Sequence, residues 1–247
     1  MNWTPNRIAL RNKLIGTFPG LFDLALQTRF AVNTLSRWRH TGMELPFPNI
    51  LKRCLLKRFA VDHQLEILVE TGTAFGDTPW VFRNSFKEIY TIELSETLAK
   101  LARNRFAKFD HIHVLQGDSG SVLPGLIPRL TAPILFWLDG HYSGGLTAQG
   151  SLNSPIVNEV NAIADLCRER FVILIDDART FGLESGYPAL NDFIPLLQNI
   201  LPDHSVAVSN DIISAVPMGK NKSGVQKLQS GMASFRSVDS DSPAPAR

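Results

Sequence analysis

Cysteine is nearly absent from this sequence. Cys54 and Cys167 are the only two in 247 residues and stand far apart with no partner motif. That excludes a disulfide framework and a thiolate zinc site, and leaves both the expected role of buried small hydrophobes. Long apolar runs are missing too: no segment reaches the roughly 18 uninterrupted apolar residues of a membrane span. The first residues lack the basic, apolar and small-residue order of a secretory signal, so the expectation is a cytoplasmic protein. No internal repeat is visible, and a two-histidine, one-carboxylate set for iron is not recognisable.

What the chain does have is an ordinary globular composition, 44% hydrophobic and 19% charged, with length for one large α/β domain and its core. The net charge of +2 conceals an asymmetry. Residues 1–58 hold ten Lys/Arg against Asp23 and Glu44, leaving fifteen basic and twenty-one acidic residues beyond them. The basic residues are scattered, which suits solvated helix faces. The functional alternative is contact with an acidic partner or a membrane surface through these helices. No nucleic-acid partner is expected, and oligomeric state is open.

The apolar spacing over residues 7–39, broken at Phe18-Pro19-Gly20, predicts two helices, and residues 50–60 a third. Together residues 1–58 read as a helical cap or lid. From Leu65 onward short apolar runs alternate with helical stretches, the pattern of a parallel sheet with crossover helices. Strands are expected at 65–69, 88–92, 112–115, 134–138 and 171–175, with helices between them. Two further runs, 205–208 and 212–216, flank Ser209-Asn210-Asp211 and predict a tight hairpin. Residues 59–218 thus form the α/β domain, and the Gly-, Ser- and Pro-rich 219–247 a disordered tail.

Each of the five parallel-type strands runs into an acid: Glu70, Glu93, Asp118, Asp139, and Asp176 with Asp177. The carboxyl ends of such strands share one edge, where ligands bind. Crowded carboxylates there call for a cation, a ribose diol, or both. The first strand enters Glu70-Thr71-Gly72-Thr73-Ala74-Phe75-Gly76, a turn from which residues 79–86 continue as a helix. Glycines let the backbone approach a ligand closely, and a helix start offers unpaired N–H groups. Glu93 follows Gly72 at about the ~20-residue distance at which an acid reaches ribose hydroxyls. Yet the dinucleotide fingerprint is absent, because Thr73 stands where a second close glycine would be needed. A charged Glu70 would repel pyrophosphate and welcome a cationic ligand, which points to a nucleoside with an amino-acid tail.

These residues resemble a known family. The 70–76 segment resembles the first motif of class I S-adenosylmethionine-dependent methyltransferases, Glu93 resembles their ribose-binding acid, and Gly117-Asp118-Ser119 their adenine-contacting segment. The resemblance covers residues 60–217 and implies a Rossmann-like three-layer sandwich: a mostly parallel seven-stranded sheet closed by an antiparallel hairpin. It implies S-adenosylmethionine as cofactor, held by Glu70, Gly72, Thr73, Gly76, Glu93, Asp118, Ser119 and Asp139.

Asp139, Asp176 and Asp177 end neighbouring strands and could bind Mg²⁺, which prefers oxygen ligands. The arrangement is similar to that of metal-dependent O-methyltransferases related to macrocin O-methyltransferase, which act on antibiotic sugars. That similarity implies methyl transfer to a hydroxyl of a sugar or other small molecule, with Asp139 at the reacting end; His141, by its own position and chemistry, is the second catalytic candidate. The family carries a second acid two positions after the strand-four aspartate; here His141 stands there, and a neutral histidine can take a hydroxyl proton. The bland reading of Asp176-Asp177 is a helix cap or a pairing with Arg179. The loop from Ser143 to Ser154 is long enough for a substrate-facing lid, and Arg179 and Glu184 are placed to read polar substrate groups. Two other functions fit the same scaffold: a hydroxylase or oxidoreductase, and a non-catalytic nucleoside-binding assembly protein.

Overall fold

A computed structural model of the chain describes residues 31–139, 155–183 and 187–218. The expectations for residues 1–30, His141, the loop from 143 to 154, Glu184 and the 219–247 tail lie outside the described residues.

Two helices come first, α1 (Ala31–His40) and α2 (Asn49–Asp62). Then β1 (Ile67–Thr71), α3 (Asp77–Phe82), β2 (Glu88–Glu93), α4 (Glu96–Phe106), β3 (Ile112–Gln116) and α5 (Ser119–Leu126) alternate. The chain continues through β4 (Ile134–Leu138), α6 (Ile156–Leu166), β5 (Phe171–Ile175), α7 (Leu190–Ile200), β6 (His204–Ser209) and β7 (Ile212–Pro217). The runs at 134–138 and 171–175 fall where the apolar pattern puts them. Strand β1 begins two residues later than expected and takes in Glu70 and Thr71, because pairing with β2 and β4 continues to Thr71, opposite Ile92 and Leu138. Helix α3 is six residues long and stops at Phe82, short of the expected 86. So short a helix has little dipole to offer a ligand.

The strands lie in the order β3-β2-β1-β4-β5-β7-β6. Strands β1 to β5 are parallel, while β7 runs antiparallel to β5 and to β6. This is a Rossmann-like seven-stranded sheet with the expected C-terminal hairpin. The order reverses between β1 and β4, the switch point at which an open α/β sheet leaves a crevice.

Successive strand residues point to opposite faces, so each strand feeds two cores. Ile67, Val69, Phe136, Leu138, Ile173 and Ile175 pack with helices α5, α6 and α7 on one side. Leu68, Leu135, Trp137, Val172 and Leu174 pack on the other with Leu56 and Phe59 of α2, Trp80 of α3 and Phe106 of α4. Every residue of β1, β4 and β5 is buried, as expected for central parallel strands covered on both faces.

Among the described residues no helix is long and apolar enough to cross a membrane. The cysteines are both free, yet only Cys167 is buried. Cys54 lies on the exposed side of α2, opposite Leu56, which corrects its expected role. Burial pushes the Cys167 thiol up to about 11, so it behaves as a small hydrophobe.

Candidate functional site

Register decides which residues meet at the carboxyl edge of the sheet. Thr71 is level with Ile92 and Leu138, and Leu138 with Ile175. One step further, Gly72, Glu93, Asp139 and Asp176 therefore stand in a single row across four strands. Backbone bonds carry the pairing into that row: Gly72 N donates to Ile92 O at 2.9 Å, Asp139 N to Thr71 O at 3.1 Å and Asp176 N to Leu138 O at 3.0 Å.

The turn after β1 is built to be rigid. Gly72 and Gly76 have φ of 89° and 72°, in the left-handed region that glycine enters without penalty. A Cβ on Gly76 would also sit 2.9 Å from Phe106 of α4. Glu93 closes the turn with both oxygens: Oε2 accepts from Ala74 N at 2.8 Å and Oε1 from Ser95 N at 2.9 Å. Burial raises the Glu93 pKa, and these two backbone bonds oppose the shift. Each oxygen keeps a lone pair for a further donor such as a ribose hydroxyl. From the far side Arg105 of α4 donates to the Phe75 carbonyl and, at 3.0 Å, to Asp77 Oδ1.

Glu70 and Thr73 point inward. Thr91 donates to Glu70 Oε2 at 2.7 Å, and the Thr91 and Thr73 hydroxyls meet at 2.5 Å. Burial pushes the Glu70 pKa up to about 8, which its bonds to Thr91 and Thr78 only partly oppose. Burial therefore favours the protonated form of Glu70, against the negative charge expected before the turn. Asp118 likewise serves the fold: as the cap of α5 it accepts from Gly120 N at 2.9 Å. Ser119 follows it and is buried.

Asp139, Asp176 and Asp177 do come together, with one oxygen of each lying within 4.8 Å of the others. Two of them meet a residue of the basic N-terminal stretch, whose scattered charges suit solvated helix faces. Lys52 of α2 brings its Nζ to 2.6 Å from Asp176 Oδ1 and 2.9 Å from Asp177 Oδ1. Burial alone would lower the Lys52 pKa; the two aspartates outweigh it and hold the lysine charged. Arg179 completes the arrangement, as the pairing reading expected, donating to Asp177 Oδ1 at 2.7 Å. It also pairs with Asp211, a fully buried carboxylate in the β6–β7 turn. Asp177 sits at φ 55°, which turns the chain sharply after β5.

On the opposite face of the same edge lies a second acid that the strand-end pattern could not show. Glu159 of α6 is 1% exposed, beside the hydroxyls of Thr71 and Ser119. Its Oε1 and Thr71 Oγ1 are buried without a hydrogen-bond partner among the described residues. Burial pushes Glu159 up to about 7, with Asp118 adding to the shift.

A signal for Lys52 was present in the sequence. Lys52, Leu56, Phe59 and Ala60 are the buried residues of α2, spaced as one stripe of a helix. A lysine on an apolar stripe is rarely buried without a partner. Asp177 lies 125 residues away, which no local pattern reveals.

No protein-family profile and no curated protein matches the chain. Solved structures do. A Staphylococcus aureus protein provisionally named a caffeoyl-CoA O-methyltransferase superposes with a TM-score of 0.53 at 14% identity, over 85% of this chain and 100% of its own. The O-methyltransferase TomG of Streptomyces achromogenes, involved in tomaymycin synthesis and solved with S-adenosylmethionine, gives 0.51 at 19% identity, over 81% and 95%. A Bacillus cereus O-methyltransferase solved with S-adenosylhomocysteine gives 0.51 at 16% identity, over 86% and 100%. The strand order, the C-terminal hairpin and these superpositions together establish that the chain has the fold of the class I S-adenosylmethionine-dependent methyltransferases.

Proposed function

We propose that this protein transfers a methyl group from S-adenosylmethionine to a hydroxyl of a small molecule, with a sugar or glycosylated metabolite as the acceptor class. The observation that carries the reading is the row of Gly72, Glu93, Asp139 and Asp176 at the switch point of the sheet. Two features of the row suit the cofactor. Glu93 has lone pairs left for a ribose diol, beside a turn whose glycines admit close backbone approach. Asp139, next to Gly72 in the row and outside the Lys52 contacts with Asp176 and Asp177, suits a cationic methionine portion. S-adenosylmethionine, when bound, supplies an activated methyl: the acceptor oxygen bonds to the methyl carbon, the carbon–sulfur electron pair stays on sulfur, and the hydroxyl proton leaves.

The chain's own contribution is positioning and electrostatics. Glu93 and the 72–76 turn hold the nucleoside end. Asp139 faces the reacting end, and His141, two residues on, takes the proton. Mg²⁺ assistance would use Asp139, Asp176 and Asp177, a suitable oxygen set for a hard cation that orients an acceptor hydroxyl and lowers its pKa. In this structure that set already holds Lys52, so the fit is incomplete.

Calorimetric titration with S-adenosylhomocysteine tests the reading. The wild-type chain is expected to bind it, and Glu93→Ala to weaken binding at least tenfold while remaining folded by circular dichroism. No heat at millimolar ligand with the wild-type chain would refute the proposal.

A further inference from the structure

The Asp139–Asp176–Asp177 cluster raises a question of charge: which cation answers it. Two oxygens of the cluster are already doubly engaged. Asp176 Oδ1 accepts from Lys52 Nζ at 2.6 Å and from Asp177 N at 2.8 Å. Asp177 Oδ1 accepts from Lys52 Nζ at 2.9 Å and from Arg179 Nη1 at 2.7 Å. Mg²⁺ needs short oxygen contacts in near-octahedral array. Beside an ammonium and a guanidinium at such distances it would also meet strong like-charge repulsion.

Lys52 is not a surface lysine that reached the cluster by chance. Its side chain is 8% exposed, less than the 22% of its neighbour Arg53. It projects from the helix face that carries Leu56, Phe59 and Ala60 into the core, so the fold itself delivers the ammonium. Withdrawing it would take the ammonium from two buried carboxylates at once.

We propose that Lys52 is the resident cation of this cluster, standing where a divalent ion would, so that the cluster takes up no divalent metal. An ammonium has three N–H donors. Two go to Asp176 and Asp177, so the charge of that pair is answered from within the fold. Any methyl transfer at this site is then insensitive to chelators.

Manganese titration of the full chain, followed by the electron paramagnetic resonance signal of free Mn²⁺, decides the assignment. The chelator-stripped wild-type protein is expected to leave the signal unchanged at millimolar Mn²⁺, and Lys52→Arg to behave the same way. Lys52→Met, checked for folding by circular dichroism, is expected to take up Mn²⁺ at least tenfold more tightly than wild type. Uptake by the wild-type chain that disappears in Asp176→Asn would overturn the proposal, and so would a folded Lys52→Met protein that binds none. Should Lys52→Met fail to fold, the wild-type and Asp176→Asn titrations still decide. Failure of S-adenosylhomocysteine to bind would refute the methyl-transfer reading, while the manganese result stands or falls separately.

Discussion

Lysine meets carboxylate at both edges of this sheet, at almost the same distance. Where β1 and β2 begin, Lys87 Nζ lies 2.7 Å from Glu66 Oε2; where β5 ends, Lys52 Nζ lies 2.6 Å from Asp176 Oδ1. The two lysine side chains are 73% and 8% exposed. Geometry alone would call these pairs equivalent. At the first edge water solvates each charge whether or not the partner is present, and salt screens the attraction. At the second edge neither charge has water to fall back on, so each depends on the other. Glu159 shows the remaining way to accommodate a buried acid. It lies at that same second edge but on the other face, where burial pushes its pKa up to about 7.

The largest effect is expected at Lys52. Lys52→Met keeps the bulk of the stem and removes the charge, stranding Asp176 and Asp177 with Arg179. Removing one partner of a buried ion pair costs about 3–5 kcal/mol. At roughly 2–4 °C per kcal/mol for a chain of this size, Tm falls by about 6–20 °C in scanning calorimetry. Adding Asp176→Asn to Lys52→Met should recover part of the loss, because it removes one of the stranded charges. That recovery separates a charge effect from simple loss of packing.

Glu159→Gln is expected to act in the opposite direction and to depend on pH. Since the fold raises the Glu159 pKa from 4.5 to about 7, the folded state holds a proton that the unfolded chain releases. Its contribution to stability is fully present below the unfolded value and is lost as pH rises through the folded one. Glutamine imitates the protonated acid at every pH. The variant should therefore match wild type near pH 4 and exceed it at pH 8, by up to roughly 3 kcal/mol given 1.36 kcal/mol per unit. Urea unfolding at the two pH values measures the difference, in which all other titrating groups cancel. Equal stability at both would mean that Glu159 is ionised in the fold and finds a partner there.

The same contrast explains what the sequence could show. Strand ends are local: an apolar run followed by an acid is visible in a few residues, so the row of Glu93, Asp139 and Asp176 is legible in the sequence. Parallel pairing then aligns those ends without further instruction. What a residue does within the row depends on partners far along the chain. Glu70 reads as a charge before a glycine turn, yet burial favours its protonated form and its Oε2 is taken by Thr91. Asp176 and Asp177 read as metal ligands because Lys52 is 125 residues from Asp177 and was counted with the basic head. Asp211 reads as a turn residue, and only the folding of β7 against β5 brings it to Arg179. Glu159 lies within the first two turns of α6, where its periodic spacing with the buried Ile156, Val160 and Ile163 was the one available signal.

The smallest effect sharpens the comparison most directly. Lys87→Ala removes a pair whose N–O distance, 2.7 Å, is within a tenth of an ångström of the Lys52–Asp176 contact. If proximity set the energy, the two lysine substitutions would cost alike. Exposed pairs measured by mutation contribute about 0–1 kcal/mol, since held side chains lose rotamer freedom and both charges are already hydrated. Glu66 is 39% exposed at its side chain, so it returns to water when Lys87 is gone. Lys87→Ala should therefore shift Tm by no more than about 2 °C, and raising the salt concentration should shrink even that. A loss comparable to that of Lys52→Met would show that the beginning of β1 is far less open to solvent than its exposure indicates, and would remove burial as the distinction between the two edges.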